Sequence, residues 1–197
     1  MKDSHSHHEF DNPEMFAKMF DANERDLWQK PNEVIESLGL KDNDVVVEIG
    51  AGTGYFTIKL AEYLKQGTVI SFDKSRKMVE YLRKRVSDLS FSNVDVRHLE
   101  DGRMDLKEKT ALIMCVDVYH HIGERILFFS SLKQYLNSDG LIVIIDRPVN
   151  SPVSPPHGHQ TPPELVKQEM EQAGFKLVDV FDFLQPYQFY LAFKKAN

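Results

Sequence analysis

Five short runs of apolar, largely β-branched residues recur between Val45 and Asp146, at positions 45–49, 68–72, 93–99, 111–118 and 141–146. Their apolar residues are consecutive rather than alternating, the pattern of strands covered on both faces in a parallel sheet. Helical patterns fill the gaps at 55–64, 75–89 and 124–136. Strand–helix alternation of this kind predicts a doubly wound α/β fold. After residue 146 the pattern changes. "RPVNSPVSPPHGHQTPPE" is dense in proline and reads as an extended loop ending in a helix start. Thr161 is the expected cap, Pro162 the first turn, and Glu164 the second half of a capping box. That helix should stop at Gly174. "FKLVDVFDF" and "FYLAFKK" follow, joined only by "LQPYQ". So short a link cannot carry a crossover, so the pair is expected to be an antiparallel hairpin.

Residues 1–40 read as an N-terminal helical cap or lid ahead of a ligand-binding domain at 41–197, with one domain overall. "NPEMFAKMF" offers Asn12 as a helix cap and Pro13 in the first turn. Met15, Phe16, Met19 and Phe20 then make one apolar stripe. A second helix is expected over 31–38, ended by Gly39. No apolar run approaches the roughly 20 residues of a membrane helix, and "MKDSHSHHEF" lacks the apolar core of a signal peptide. With a single cysteine, Cys115, the expected compartment is the reducing cytoplasm. The formal net charge of −6 argues against a nucleic-acid partner, because phosphate contacts demand a basic face. The densest basic stretch, "KSRKMVEYLRKR", spaces Met78, Val79, Tyr81, Leu82 and Val86 as one helical stripe, so its charges form a solvated helix face.

The first strand runs into a glycine loop, "VVVEIGAGTGYFT". A dinucleotide fingerprint reads G-x-G-x-x-G with an acid about 20 residues on. Here Gly50, Gly52 and Gly54 are two apart, and Glu48 sits at the end of the strand itself. A carboxylate there repels a pyrophosphate and suits an ammonium. Asp73, nineteen residues after Gly54, ends the next strand, where it suits two ribose hydroxyls. A cationic ligand with a ribose and an amino-acid tail describes S-adenosylmethionine. From residue 44 to residue 195 the chain resembles the class I S-adenosylmethionine-dependent methyltransferases, with a Rossmann-like seven-stranded sheet. "FDNPEMFAKMFDANERDLWQKPNEVI", "VDVYHHI" and "LQPYQFYLAF" resemble more narrowly a bacterial subgroup described only as predicted methyltransferases.

That resemblance implies roles for particular residues. Gly50, Ala51, Gly52 and Gly54 let the backbone approach the cofactor, and Glu48 orders its methionyl end. Asp73, with Lys74 beside it, accepts the ribose hydroxyls. Glu100 or Asp101 meets the adenine amino group, with Glu100 favoured, although "HLEDGRMDL" departs from the family's commoner pattern. Asp117 and Val118 line the methionine portion.

Ligands of open parallel sheets bind beyond the carboxyl ends of the strands, which brings "DVYHHI" beside the transferable methyl group. Tyr119, His120 and His121 are therefore the candidate catalytic residues, either histidine being able to orient or deprotonate an acceptor. The plainer alternative is that a ring caps a helix or fills space. His5, His7, His8, His157 and His159 could join these two around a metal, but no thiolates accompany them, and no metal site is expected. Trp28 is either a lid over the ligands or a core anchor. The expected reaction is methyl transfer to a small-molecule acceptor. A protein acceptor and a non-catalytic cofactor-binding module remain open, whereas Glu48 and the glycine spacing disfavour a dehydrogenase. Oligomeric state leaves no signature in the sequence.

Overall fold

Strands that are apolar on both faces need helices above and below them. The computed structural model, which describes residues 12–154 and 160–196, supplies those helices. The strands are β1 (Val45–Ile49), β2 (Thr68–Asp73), β3 (Val94–His98), β4 (Thr110–Val116), β5 (Leu136–Asp146), β6 (Phe175–Phe181) and β7 (Phe189–Lys195). They form one sheet in the order β3-β2-β1-β4-β5-β7-β6. Pairing is parallel from β3 to β5, and β7 is antiparallel to both β5 and β6. The expected doubly wound sheet with an antiparallel hairpin is therefore present. β1 lies between β2 and β4, so the chain leaves it in opposite directions on its two sides. The crevice at its carboxyl end is the topological switch point, where such sheets bind ligands.

The helices are α1 (Pro13–Phe20), α2 (Asn23–Gln29), α3 (Pro31–Ser37), α4 (Tyr55–Tyr63), α5 (Arg76–Asp88), α6 (Arg125–Leu132) and α7 (Pro163–Gln172). Val47, Ile49, Ile113, Cys115, Ile142 and Ile144 pack on Phe129 and Leu132 of α6 and Val166 and Met170 of α7. On the other face Val46, Leu112, Met114, Val143 and Ile145 meet Val34 and Ile35 of α3 and Phe56 and Leu60 of α4. The third helix of the N-terminal segment is thus part of the main core. Burial pushes the Cys115 thiol far up, so it stays protonated. No described helix is long and apolar enough to cross a membrane.

Several local expectations needed correction. α2 was not legible, because "NERDLWQ" carries only two large apolar residues. Lys30, at φ 44°, ends α2 and starts α3. Asn12 does cap α1, its side chain accepting from the Met15 amide at 3.1 Å. Thr161 does not cap α7: Pro162 holds the cap position with an extended backbone and no side-chain bond. Two consecutive prolines begin that helix, and the Thr161 amide is drawn away to the Arg147 carbonyl at 3.2 Å. β5 begins at Leu136, five residues early, by pairing with Thr110 across an irregularity between Thr110 and Leu112. Accordingly α6 is shorter than its apolar pattern suggested.

Ile113 is fully buried at the middle of β4. Ile113→Ala should lower unfolding stability by about 2–5 kcal/mol, read as a lower urea midpoint with an unchanged slope.

Candidate active site

Strand β1 ends by handing its chain to a loop that must turn sharply back into α4. Gly50, Gly52 and Gly54 all take positive φ, at 75°, 55° and 92°. A Cβ on Gly50 would lie 2.3 Å from Val118 Cγ2, and one on Gly54 would lie 2.2 Å from Leu82 Cδ1. These glycines let the loop lie against β4 on one side and α5 on the other. The Gly50 and Ala51 amides donate to the Phe72 carbonyl at 2.8 and 3.0 Å, and the Gly52 amide donates to Asp73 Oδ2 at 2.8 Å. Asp73 Oδ1 accepts from the Ser75 amide at 2.8 Å. Burial raises the Asp73 pKa, against the pull of those amides. Each of its oxygens keeps a further lone pair for a ligand hydroxyl.

Glu48 is buried behind the loop. Its Oε2 accepts from the Thr57 hydroxyl and, at 3.5 Å, from Ser71, so the carboxylate ties β1 to α4 and β2. Burial pushes its pKa up to about 7, with Thr57, Arg25 and Ser71 pulling the other way.

At the end of β4, Asp117 takes a left-handed backbone, φ 54°, a conformation that costs energy in a non-glycine residue. Its amide is held by the Ile145 carbonyl at 2.9 Å. Its carboxylate accepts from Arg147 Nε at 3.1 Å and from Gln188 Nε2 at 2.8 Å. Gln188 in turn accepts from Gln29 Nε2 at 3.0 Å, and both glutamines are fully buried. Arg25 brings Nη2 to 3.9 Å from Asp117 and lays its guanidinium 4.0 Å above the Tyr55 ring. Burial lowers the Arg25 pKa, with Asp117 opposing. Further links clamp the N-terminal helices to the loop. Arg85 pairs with Asp21 at 2.6 Å, and the Tyr55 hydroxyl donates to Asp26.

One strand further on, Asp146 ends β5 with no exposure at all. Both of its oxygens face His120 Nδ1, at 2.8 and 3.0 Å. It also accepts from the backbone amides of His120 at 3.2 Å and Arg147 at 2.8 Å. The neighbouring candidates diverge. His121 is exposed, its ring centroid 4.1 Å from that of His120. Tyr119 turns into the core, stacking on Phe129 while its hydroxyl donates to Glu169 at 2.5 Å, a carboxylate also gripped by Arg125. On the far side of the crevice Glu100 is exposed and paired with Arg76 at 2.9 Å. Asp101 and Lys74 are exposed, and Val118 is half-buried.

The structure thus places the glycine loop, Asp73, Asp117, Val118 and His120 beyond or at the carboxyl ends of β1, β2 and β4, with Glu48 buried behind the loop. Arg25, Asp146, Arg147, Gln29 and Gln188 were missed by sequence reasoning. Asp146 carried a usable signal, being a carboxylate that closes an apolar run just as Asp117 does. Arg25 carried none. The terminal and loop histidines His5, His7, His8, His157 and His159 lie outside the described residues. Among the described residues no group of three or more His, Cys, Asp or Glu is arranged to hold a metal.

Carboxylates stand at or just past the carboxyl ends of β2, β4 and β5, around the switch point. Such a donor set opposes a pyrophosphate and fits S-adenosylmethionine, with Asp73 available for the ribose. A family model described as "Methyltransferase domain" matches residues 40–188. The chain belongs to that family, and its fold is that of the class I S-adenosylmethionine-dependent methyltransferases. It superposes with a TM-score of 0.86 on a SAM dependent methyltransferase from Aquifex aeolicus, at 24% identity, covering 94% of this chain and 99% of that one. It is 26% identical over 109 residues to (S)-tetrahydroprotoberberine N-methyltransferase from Eschscholzia californica, covering 55% of this chain and 31% of that protein. It is 30% identical over 138 residues to tRNA(Phe) (4-demethylwyosine(37)-C(7)) aminocarboxypropyltransferase from Methanocaldococcus jannaschii, covering 70% of this chain and 52% of that protein. The chain therefore spans about a third to a half of the length of these two curated relatives.

The raised Glu48 pKa sets a pH dependence. Its neutral form is favoured by folding, so its contribution is full below the unfolded value near 4.5 and is lost as pH rises through about 7. Unfolding titrations of the free protein should show stability falling by up to about 3 kcal/mol between roughly pH 5 and pH 8. Glu48→Gln should flatten that fall, and an equal slope in the variant would assign it to other groups.

Proposed function

We propose that the protein transfers the methyl group of S-adenosylmethionine to a small-molecule acceptor beyond the carboxyl ends of β4 and β5, beneath a cap that includes α1 and α2. The observation that carries this reading is the buried Gln29–Gln188–Asp117 bridge, flanked by Arg25 and Arg147. It ties α2 to the loop before β7 at the end of β4, which supports a closed rim suited to a small acceptor rather than a polymer. The net charge of −6 further opposes a polynucleotide acceptor. A cytoplasmic location accords with the single, buried Cys115.

In this reading Gly50, Ala51, Gly52 and Gly54 bring backbone close to the cofactor. Glu48 stiffens that loop through Thr57 and Ser71. Asp73 accepts the ribose hydroxyls beside Lys74, Glu100 or Asp101 meets the adenine edge, and Asp117 and Val118 flank the methionine portion. Arg25, already desolvated, is the cation on hand for the methionine carboxylate. When bound, the cofactor supplies a methyl group already activated by its sulfonium. The chain's own task is therefore to align the acceptor and exclude water. His120 and His121 border the acceptor side, and Tyr119 supports them from the core.

Calorimetric titration of the full chain should give micromolar affinity for S-adenosylmethionine and S-adenosylhomocysteine. Asp73→Ala should weaken both by about 1.5–3 kcal/mol, as charge-assisted hydrogen bonds are lost. Trp28, the single tryptophan, sits with its ring 6.2 Å from that of Tyr187, so its fluorescence should follow the cap during the same titration. With methyl-labelled cofactor and a cell extract, label should enter the small-molecule fraction. Label confined to protein or RNA would overturn the acceptor class.

A further inference from the structure

The pairing of His120 with Asp146 is unused by anything that holds the cofactor. Asp146 is a fully buried carboxylate, and the donors that face it are the His120 ring, the His120 amide and the Arg147 amide. A carboxylate stabilised by two backbone amides accepts and does not donate, so it fixes the proton of a neutral imidazole on Nδ1 and leaves the lone pair on Nε2. The grip is bidentate, and the His120 side chain is only 9% exposed, so the ring is fixed in direction as well as in tautomer. When Nε2 takes a proton, the resulting imidazolium lies against a full negative charge in a poorly solvated place. Among the described residues its neighbours include Asp146 and His121, whose ring centroid is 4.1 Å away, while Asp117 on the same rim is engaged by Arg147 and Gln188.

We infer that His120 is the general base of the reaction, with Asp146 as its positioning residue, and that the acceptor reacts through a neutral hydroxyl of phenolic or enolic character. This rests on the methyl-transfer reading above and adds the substrate class to it. A base is needed only by a nucleophile that arrives protonated. A carboxylate is already ionised near neutrality, and a thiol ionises with little help. An alkylammonium has no lone pair until its proton has already left, so a base acting during attack does nothing for it. A phenolic hydroxyl, with a pKa near 10, needs its proton removed as it attacks. In the balanced step the hydroxyl proton passes to His120 Nε2 while an oxygen lone pair forms the bond to the methyl carbon. The carbon–sulfur bond breaks with its electron pair kept on sulfur, giving a methyl ether and S-adenosylhomocysteine. The imidazolium then returns its proton to solvent. The aromatic pair Trp28 and Tyr187, each one residue before a bridge glutamine, offers half-buried ring faces suited to a planar acceptor.

The test uses the full chain and three forms of it: wild type, His120→Gln and Asp146→Asn. Nitrogen-15 spectra of the imidazoles, with His120 assigned through His120→Gln, should show the Nδ1–H tautomer in wild type and its loss in Asp146→Asn. S-adenosylhomocysteine affinity should be unchanged in His120→Gln. The product labelled from the small-molecule extract should be an alkali-stable, uncharged ether. Turnover should fall by at least about 100-fold in His120→Gln. In Asp146→Asn kcat should fall with KM for the acceptor little changed, and the acidic limb of the pH–rate profile, where a general base is lost to protonation, should move. A methyl ester, a methylamine, or wild-type turnover in His120→Gln would overturn the proposal. An Nε2–H tautomer in wild type would do the same without reference to activity. Intact cofactor binding with no methyl transfer to any fraction would instead sink the parent reading, and this one with it.

Discussion

The parallel pairing of β4 with β5 is the constraint on which the acceptor side of the molecule depends. Val116 is in register with Ile145, and the next hydrogen bond, from the Asp117 amide to the Ile145 carbonyl, extends the ladder one residue past the strand. Two acids, Asp117 and Asp146, are thereby delivered to the same rim from adjacent strands. Neither is left bare, as a buried carboxylate must be compensated. Asp117 is met by side chains from three other segments, whereas Asp146 is met by two backbone amides and one ring. Hydrogen bonds to side chains can be remade when a ligand enters. Bonds to the backbone amides of a short turn and of the residue just past β5 move less readily, which suits Asp146 to holding a direction.

The cofactor side has a comparable division between fixed and adjustable parts. The glycine loop is pinned by the Phe72 carbonyl and by Asp73, and Glu48 braces it from behind through Thr57. These contacts join β1, β2 and α4 into one cradle. The N-terminal helices close over it through a different kind of contact. Asp21 with Arg85, Asp26 with Tyr55, and Arg25 with Asp117 are polar pairs. α3 is held differently, because Val34 and Ile35 are built into the core.

Elements whose form follows from local pattern were readable in advance. The parallel strands were evident from their consecutive β-branched residues, and the hairpin from a connection too short for a crossover. The sharp glycine turn after β1 was evident because glycine spacing is a property of a single stretch of chain. Elements whose form depends on distant partners were not readable. α2 is nearly all polar and is held by Gln188, Phe183 and Asp117 rather than by an apolar stripe. The cap expected of Thr161 failed because the two residues after it are prolines with no amide to offer its hydroxyl, and its own amide bonds the segment after β5. Tyr119 and His120 are adjacent in sequence, yet one packs into the core and the other meets Asp146, since a short 3-10 turn separates their directions.

By itself, then, the sequence determined a doubly wound sheet with an antiparallel edge, a loop shaped for a cationic nucleoside, and the two acids Glu48 and Asp73 that flank it. Those features are encoded in contiguous stretches, where β-branching, glycine spacing and strand ends act over a few residues. Only the tertiary structure decided which histidine meets a buried carboxylate, that Arg25 comes from a helix twenty residues before the loop, and that two glutamines 159 residues apart close the rim. Such pairings are settled by strand order and helix docking, and a buried polar side chain takes whichever partner the completed core brings within reach.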